Sequence, residues 1–292
     1  MKINNFNLYI FLPISSKALL LPSPTPIIYL TKRLAQYNSR RNFFGPRPHP
    51  RSSSSSSSLT ATSTLISNTT PPMMSPFPEL CVFDLDACLW DKETFEMPSV
   101  PTKEKNAVYG SLGNGRGRGI IGVMSGPHQI SLNPGALLGL QEHADGKKYP
   151  MMKVALASSA TTPLAEDIAR ASLAILEVLP GITVWDLLMR DWEGKDVNQI
   201  GRRPPLSSNK AETHFPILRE MTGIRYDRML FFDDCIWYDH CAMVEELCRE
   251  GRGDGLGPVT MATPDGLGVN EWRRGIQRYT QRFTENLEGY SK

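Results

Sequence analysis

Asp84 and Asp86 stand one residue apart where the apolar run Cys81-Val82-Phe83 ends. Val82 and Phe83 read as the end of a buried strand, so the two aspartates emerge together into a loop. Positions i and i+2 of a strand point to the same side, which lets both carboxylates face one pocket. Two like charges that close are costly unless a cation or a shared proton neutralises them. Mg²⁺ is the simplest partner, because it prefers one or two carboxylates together with substrate phosphate oxygens. The pair therefore points to metal-assisted phosphate chemistry, although aspartates after a strand also serve simply to cap a helix.

Other parts of the chain strengthen the chemical reading. Asp233-Asp234 ends a second apolar run, Met229-Leu230-Phe231-Phe232. A third run, Val154-Ala155-Leu156-Ala157, delivers Ser158, whose hydroxyl and neighbouring N–H groups could hold phosphate oxygens. Lys210 lies between them in sequence and is a natural cation for a phosphoryl group with spread negative charge.

The elements that must position these residues follow from periodicity. Leu80–Phe83, Lys153–Ala157, Met229–Phe232 and Pro258–Met261 read as short buried strands. Helical patterns alternate with them. Pro163 opens one, with Leu164, Ile168, Ala171, Ile175 and Leu179 as its expected core stripe. Phe215, Leu218 and Met221 make a second, ending at Gly223; Cys241, Val244, Leu247 and Cys248 a third, ending at Gly251; Trp272, Ile276, Tyr279 and Phe283 a last. Such alternation predicts an α/β fold, a Rossmann-like parallel sheet with helices on both faces, and ligands bind outside the carboxyl ends of such strands. Two insertions interrupt the rhythm. Gly110–Gly126 is glycine-rich and is expected to be a flexible loop; it lacks the Lys-Ser/Thr ending of a P-loop. Asp191–Asn209 is polar and contains Arg202-Arg203-Pro204-Pro205.

The order strand–DxD, strand–Ser, Lys, strand–DD resembles the haloacid dehalogenase superfamily of phosphatases. Val82-Phe83-Asp84-Leu85-Asp86 with Leu89-Trp90, His214-Phe215, Thr222-Gly223 and Phe231-Phe232-Asp233-Asp234 is similar to its magnesium-dependent phosphatase family. Members of that family have been considered protein-tyrosine or sugar-phosphate phosphatases. The resemblance spans roughly Glu79 to Phe283 and implies a capless fold, or one with small loop insertions only. It further implies that Asp84 is the nucleophile and that Asp86 is the general acid and base. Mg²⁺ would be held by Asp84, the Asp86 carbonyl and Asp234, with Asp233 in support. Ser158, Lys210 and the Leu85 N–H would clamp the phosphoryl oxygens.

The chain departs from the family pattern in several places. Cys88 stands in place of the usual Thr or Val, close to the nucleophile. Ser159 occupies a substrate-side position where the family usually has an arginine, and Arg202 or Arg203 could replace a missing cation. Lys210 is one residue further than usual from His214-Phe215, and Pro216 follows, so the helix should start near Thr213 and leave Lys210 in the loop before it. Cys235 and Tyr238 replace acidic and Asn positions, with Asp239 a candidate substitute for metal support. These departures motivate an alternative, a catalytically weakened binding or regulatory protein that keeps the fold. A response-regulator receiver is disfavoured because its acidic pair precedes its phospho-acceptor strand. A DxD glycosyltransferase is weaker still, since nothing suggests a nucleotide-sugar site.

Composition divides the 292 residues unevenly. Residues 1–78 contain no Asp or Glu and eight Lys or Arg. Taking those eight from the 32 basic residues leaves 24 against all 30 acidic ones, about −6 for Glu79–Lys292 against +2 overall. The excess of base thus belongs to the leader, and no nucleic-acid partner follows from it. The leader has the Ser52–Ser58 run and repeated prolines, a composition that offers no core. It fits a mitochondrial or plastid transit peptide. A secretory signal over Phe6–Leu21 is interrupted by Pro13 and Lys17, and translation from Met73 or Met74 would give a cytoplasmic product. The expected domains are the leader 1–78, a phosphatase domain 79–285 and a tail 286–292. No stretch of about 20 apolar residues suggests a membrane span. Five cysteines without a C-x-x-C pair fit a reduced compartment. His128, His143, His214 and His240 show no metal-ligand spacing, and the five tryptophans read as core or rim. The expected partner is a phosphomonoester, either a small molecule or a phosphoprotein; the oligomeric state is open.

Overall fold

The computed structural model describes residues 75–251 and 255–290, the last four by backbone alone. The expected leader therefore lies outside the described residues, apart from Ser75–Pro78. In chain order the strands are β1 (Leu80–Phe83), β2 (Ala107–Ser111), β3 (Arg118–Ser125), β4 (His128–Ile130), β5 (Lys153–Ser158), β6 (Glu177–Leu179), β7 (Ile182–Thr183), β8 (Gln199–Ile200), β9 (Met229–Asp233) and β10 (Val259–Ala262). The longer helices are α1 (Pro134–Asp145), α2 (Pro163–Ile175), α3 (Val184–Asp191), α4 (His214–Thr222), α5 (His240–Leu247) and α6 (Val269–Tyr290).

Five strands form one sheet in the order β10-β9-β1-β5-β8, and every neighbouring pair is parallel. The chain runs outward from β1 through β5 to β8, then returns to lay β9 on the other side of β1. The order therefore reverses between β1 and β9, and a crevice opens there at the strands' carboxyl ends. Alternate strand residues feed two cores, as the two-residue period requires. Phe83, Leu156 and Phe232 pack with Ile168 of α2, Leu187 of α3, and Leu140 and Trp272 of α1 and α6. Val82, Ala155 and Phe231 pack with Phe215 and Leu218 of α4 and Val244 of α5. With both faces covered, the central strands are apolar throughout, which is why they read as continuous runs rather than alternating ones.

The expected strands are present with small shifts. β5 and β9 each run one residue further, so Ser158 and Asp233 belong to the strands themselves. β10 starts at Val259 rather than Pro258, whose missing N–H cannot join the ladder. In α2 the buried face is Ala165, Glu166, Ile168, Ala169, Ser172, Leu173 and Ile175, while Leu164 is exposed and Leu179 lies beyond the helix on β6. The Thr162 hydroxyl caps α2 by accepting the Ala165 N–H at 3.1 Å, and Ile168 and Ile175 of the expected stripe are buried.

Both insertions are more ordered than their composition implies. Gly110–Gly126 is not a loop: β2, β3 and β4 form an antiparallel sheet, with turns at Leu112–Gly117 and at Gly126, where Gly113, Gly115, Gly117 and Gly126 take positive φ. Ile120 and Val123 of β3 bury into the larger core. Asp191–Asn209 contains β8, a two-residue edge strand whose Ile200 pairs with Ser158.

Candidate active site

β1 carries Asp84 to the crevice, and the Asp84 N–H donates to the Phe232 carbonyl at 2.9 Å. A wide turn follows, closed by the Leu89 N–H on the Asp84 carbonyl and the Trp90 N–H on the Leu85 carbonyl, both at 3.2 Å. Ala87 sits at φ 52 in this turn, a conformation that costs a non-glycine residue energy. The turn folds Asp86 back over the site. Its Oδ1 accepts the Trp90 indole N–H at 3.0 Å, and its Oδ2 accepts the Thr94 N–H at 3.0 Å and hydroxyl at 2.7 Å. Burial raises the Asp86 carboxyl above its ordinary range, with the Thr94 and Trp90 bonds opposing. Leu85 is fully buried and is not among the residues that line the cavity. Cys88 is an inert neighbour: burial, then the Asp84 charge, hold its thiol strongly protonated, and it accepts the Thr263 hydroxyl at 3.4 Å.

Lys210 lies in the loop before α4, which starts at His214 as expected. The lysine is 1 % exposed, and its Nζ lies 2.7 Å from Asp84 and 2.6 Å from Asp233. Burial works against its charge, yet the two carboxylates hold it protonated. Burial likewise works to raise Asp233, but Lys210 and then His240 keep it below the ordinary carboxylate range. Asp84 is pushed upward by burial and by Asp233 and Asp234, against Lys210. Asp234 is raised by burial and by Asp233.

Support for the acidic pair comes from groups that its sequence neighbours did not advertise. The Cys235 N–H donates to Asp233 at 2.9 Å, and the Ile236 N–H to Asp234 at 3.1 Å. Backbone amides thus orient both carboxylates without any help from the side chains at 235 and 238. Asp239 is not a substitute: it is exposed and caps α5 through the Ala242 N–H at 2.9 Å. His240 takes the supporting place, with Nδ1 3.3 Å from Asp233 and Nε2 3.2 Å from the Ser208 carbonyl. Neither it nor His214 shows a metal-ligand spacing, and both are buried. The His214 Nε2 faces the Ser158 carbonyl at 3.0 Å, and burial, with Lys210 nearby, lowers this imidazole to about 4. It is a neutral donor that fixes the end of β5.

A cavity of about 310 Å³ opens over these groups. Asp84, Asp86, Ser158, Ser159, Lys210, Asp233 and Asp234 all line it, so the sequence-derived side chains come together in one place. Its upper walls are Glu93 and Phe95 on one segment and Ile236, Trp237 and Tyr238 on another. Phe95 and Trp237 meet edge to face at 6.4 Å, and Trp237 donates to Glu93 at 3.4 Å. Glu93 carries no motif, and nothing in its spacing marked it. Burial and the neighbouring Asp86 raise its carboxyl to about 7. The insertion Gly110–Gly126 does not line the cavity; the other contributes Arg202.

The site suits a hard divalent cation. Carboxylate oxygens of Asp84, Asp233 and Asp234 come within 4.8 Å of one another, and all three side chains are buried. An all-oxygen anionic donor set of this kind suits a hard divalent cation, which would offset the burial, and behind it the mutual repulsion, that raise the Asp84 and Asp234 carboxyls.

Paired carboxylates at the switch point of a parallel sheet, with a buried lysine between them, define an α/β site built for phosphate and a divalent metal. The acid phosphatase family model matches residues 76–282; the chain belongs to this family and is a phosphatase, a phosphoric monoester hydrolase. This agrees with the dehalogenase-superfamily resemblance of the sequence. No curated protein matches the chain.

Proposed function

We propose that the protein hydrolyses phosphomonoesters with Mg²⁺ through an aspartyl-phosphate on Asp84. The observation that carries this reading is the placement of Asp84 at the end of β1, 2.7 Å from Lys210 and within reach of Asp233 and Asp234. Asp84, Asp233 and Asp234 would hold the metal, joined by the Asp86 carbonyl. Bound Mg²⁺ offsets the repulsion between an anionic nucleophile and an anionic substrate and favours in-line geometry.

The chain's own groups perform two displacements. An Asp84 carboxylate oxygen attacks phosphorus, and the bond from phosphorus to the leaving oxygen breaks. Asp86, whose carboxyl burial raises above its ordinary range against the Thr94 and Trp90 bonds, gives a proton to the leaving oxygen. In the second step Asp86 takes a proton from water, the resulting hydroxide attacks phosphorus, and the Asp84–phosphorus bond breaks to release orthophosphate. Ser158 and Lys210 hold the phosphoryl oxygens in both steps.

The exposed aromatic rim favours an aryl phosphate, such as a phosphotyrosine side chain, over a small sugar phosphate. Phe95, Ile236, Trp237 and Tyr238 are all more than two-fifths exposed at the cavity mouth, where a ring could pack. The alternative of a weakened binding protein is less favoured at the metal side, where the acidic pair accepts two backbone N–H bonds despite the altered side chains.

Turnover of p-nitrophenyl phosphate with Mg²⁺ tests the proposal. Asp84→Asn is expected to lower kcat by about 10³-fold or more while the variant remains folded. Equal turnover by the variant would remove Asp84 from the mechanism.

A further inference from the structure

The phosphate end of the cavity is short of positive charge. With Asp86 carrying the proton for the leaving oxygen, Asp84, Asp233 and Asp234 bring three carboxylates, which already take up the combined charge of Lys210 and a divalent cation. Lys210 is moreover already engaged by Asp84 and Asp233 at 2.7 and 2.6 Å. A phosphomonoester dianion needs a further cation there, and position 159, a serine, supplies none.

Arg202 is the one other lysine or arginine that lines the cavity among the described residues. Its Nε donates to the Ser159 carbonyl at 2.8 Å, so the guanidinium is anchored beside the segment that lacks the cation. The anchor follows from the fold. β8 pairs Ile200 with Ser158, and the Gly201 N–H donates to the Ser158 carbonyl at 2.8 Å. Gly201 sits at φ 108, and a Cβ there would collide with Glu166, so the chain turns tightly and sets Arg202 next to Ser159. Among the described residues no carboxylate lies within ion-pair distance of Arg202. Its neighbour Arg203 is spent elsewhere, 2.7 Å from Glu166 and 3.9 Å from Asp167. An arginine at a cavity wall, anchored by one nitrogen and without an anionic partner, keeps its remaining donors for a ligand.

We propose that Arg202 is a substrate-binding residue that grips the phosphoryl oxygens of the monoester together with Ser158 and Lys210. The edge strand β8 thus restores from the side what the serine at 159 removes. The role rests on the phosphomonoesterase reading above. A planar fork suits two phosphoryl oxygens at once, so lysine at this position keeps the charge but loses the paired geometry.

The test uses the full chain with Mg²⁺ and measures orthophosphate affinity by calorimetry, alongside KM and kcat for p-nitrophenyl phosphate and the thermal unfolding midpoint. Arg202→Ala is expected to weaken orthophosphate binding about tenfold or more and to raise KM by a similar factor without shifting the midpoint. Arg202→Lys should fall between, and Arg203→Ala should bind orthophosphate as the parent does. Parent-like phosphate affinity in Arg202→Ala overturns the assignment, as does an equal loss in Arg203→Ala, which would mean a general loop effect. A parent protein that neither binds orthophosphate nor turns over the ester contradicts the phosphomonoesterase reading itself, and with it the role of Arg202.

Discussion

Lys210, at 1 % exposure, keeps its charge between Asp84 and Asp233, and the Phe231 ring lies 5.6 Å from its ammonium. Each member of this buried triad is tolerable only because the others are present. Lys210→Met therefore leaves two buried carboxylates facing one another and should cost about 3–5 kcal/mol in urea unfolding without divalent cation. A loss below about 1 kcal/mol, the scale of a solvated pair, would contradict the ion-pair account. Glu93 gives a second prediction at this scale. Its carboxyl, ordinarily near 4.5, is raised to about 7 by burial and by Asp86. It is therefore neutral below that pH and anionic above it, where it adds repulsion at the mouth of a phosphate site. The profile of kcat/KM should fall as pH rises through about 7, and Glu93→Gln should lack that limb. The same limb in the variant would assign the titration to another group. Asp84, Asp86, Ser158, Lys210 and Asp234 were legible because type and order sufficed to mark them. Glu93 and His240 were not, and His214 was marked only as part of a motif without a role, since each acts through a contact that only folding creates.

At the scale of elements, α6 closes the larger core by laying Gly275 against β9. A Cβ at that position would come within 2.5 and 2.6 Å of the Phe232 ring. The ring cannot move aside easily, because it stacks on Phe83 at 5.7 Å and meets Trp272 at 5.7 Å. Gly275→Ala should therefore destabilise the protein by about 1–3 kcal/mol, even though alanine favours helix by about 1 kcal/mol. A raised denaturation midpoint in that variant would show that α6 has room to shift. The buried strands announced themselves through unbroken apolar runs, and α4 through its proline near the first turn and Gly223 at its end. The hairpin of β2 and β3 was hidden because glycines in Gly110–Gly126 read as flexibility. In the folded chain some of those glycines make the turn, and Gly119 and Gly122 admit Leu112, Glu177 and Gln129 side chains close to the strand. β8 was hidden by its length: two residues carry no period, yet they place Arg202.

Over the whole described chain, the polar groups of the candidate site come from three strand ends and one loop spread from Asp84 to Asp234. Gathering them depends on sheet order, which puts β1 and β9 side by side at the reversal point. Sequence order suggested that gathering, and the resemblance to a known family supplied the roles. What neither supplied was the wall of the cavity, which Phe95 and Trp237 build by meeting across segments far apart in the chain. Among the described residues no helix is long and apolar enough to cross a membrane. The central claim is that phosphate passes through Asp84, and rapid quenching tests it most directly. p-Nitrophenolate is a good leaving group that scarcely needs a proton, so Asp86→Asn should slow hydrolysis of the intermediate more than its formation. Acid-quenched Asp86→Asn protein, digested and analysed by mass spectrometry, should carry phosphate on the peptide containing Asp84, and the label should be absent from the Asp84→Asn, Asp86→Asn double variant. Phosphate found on another residue, or turnover with no covalent label at any quench time, would contradict it.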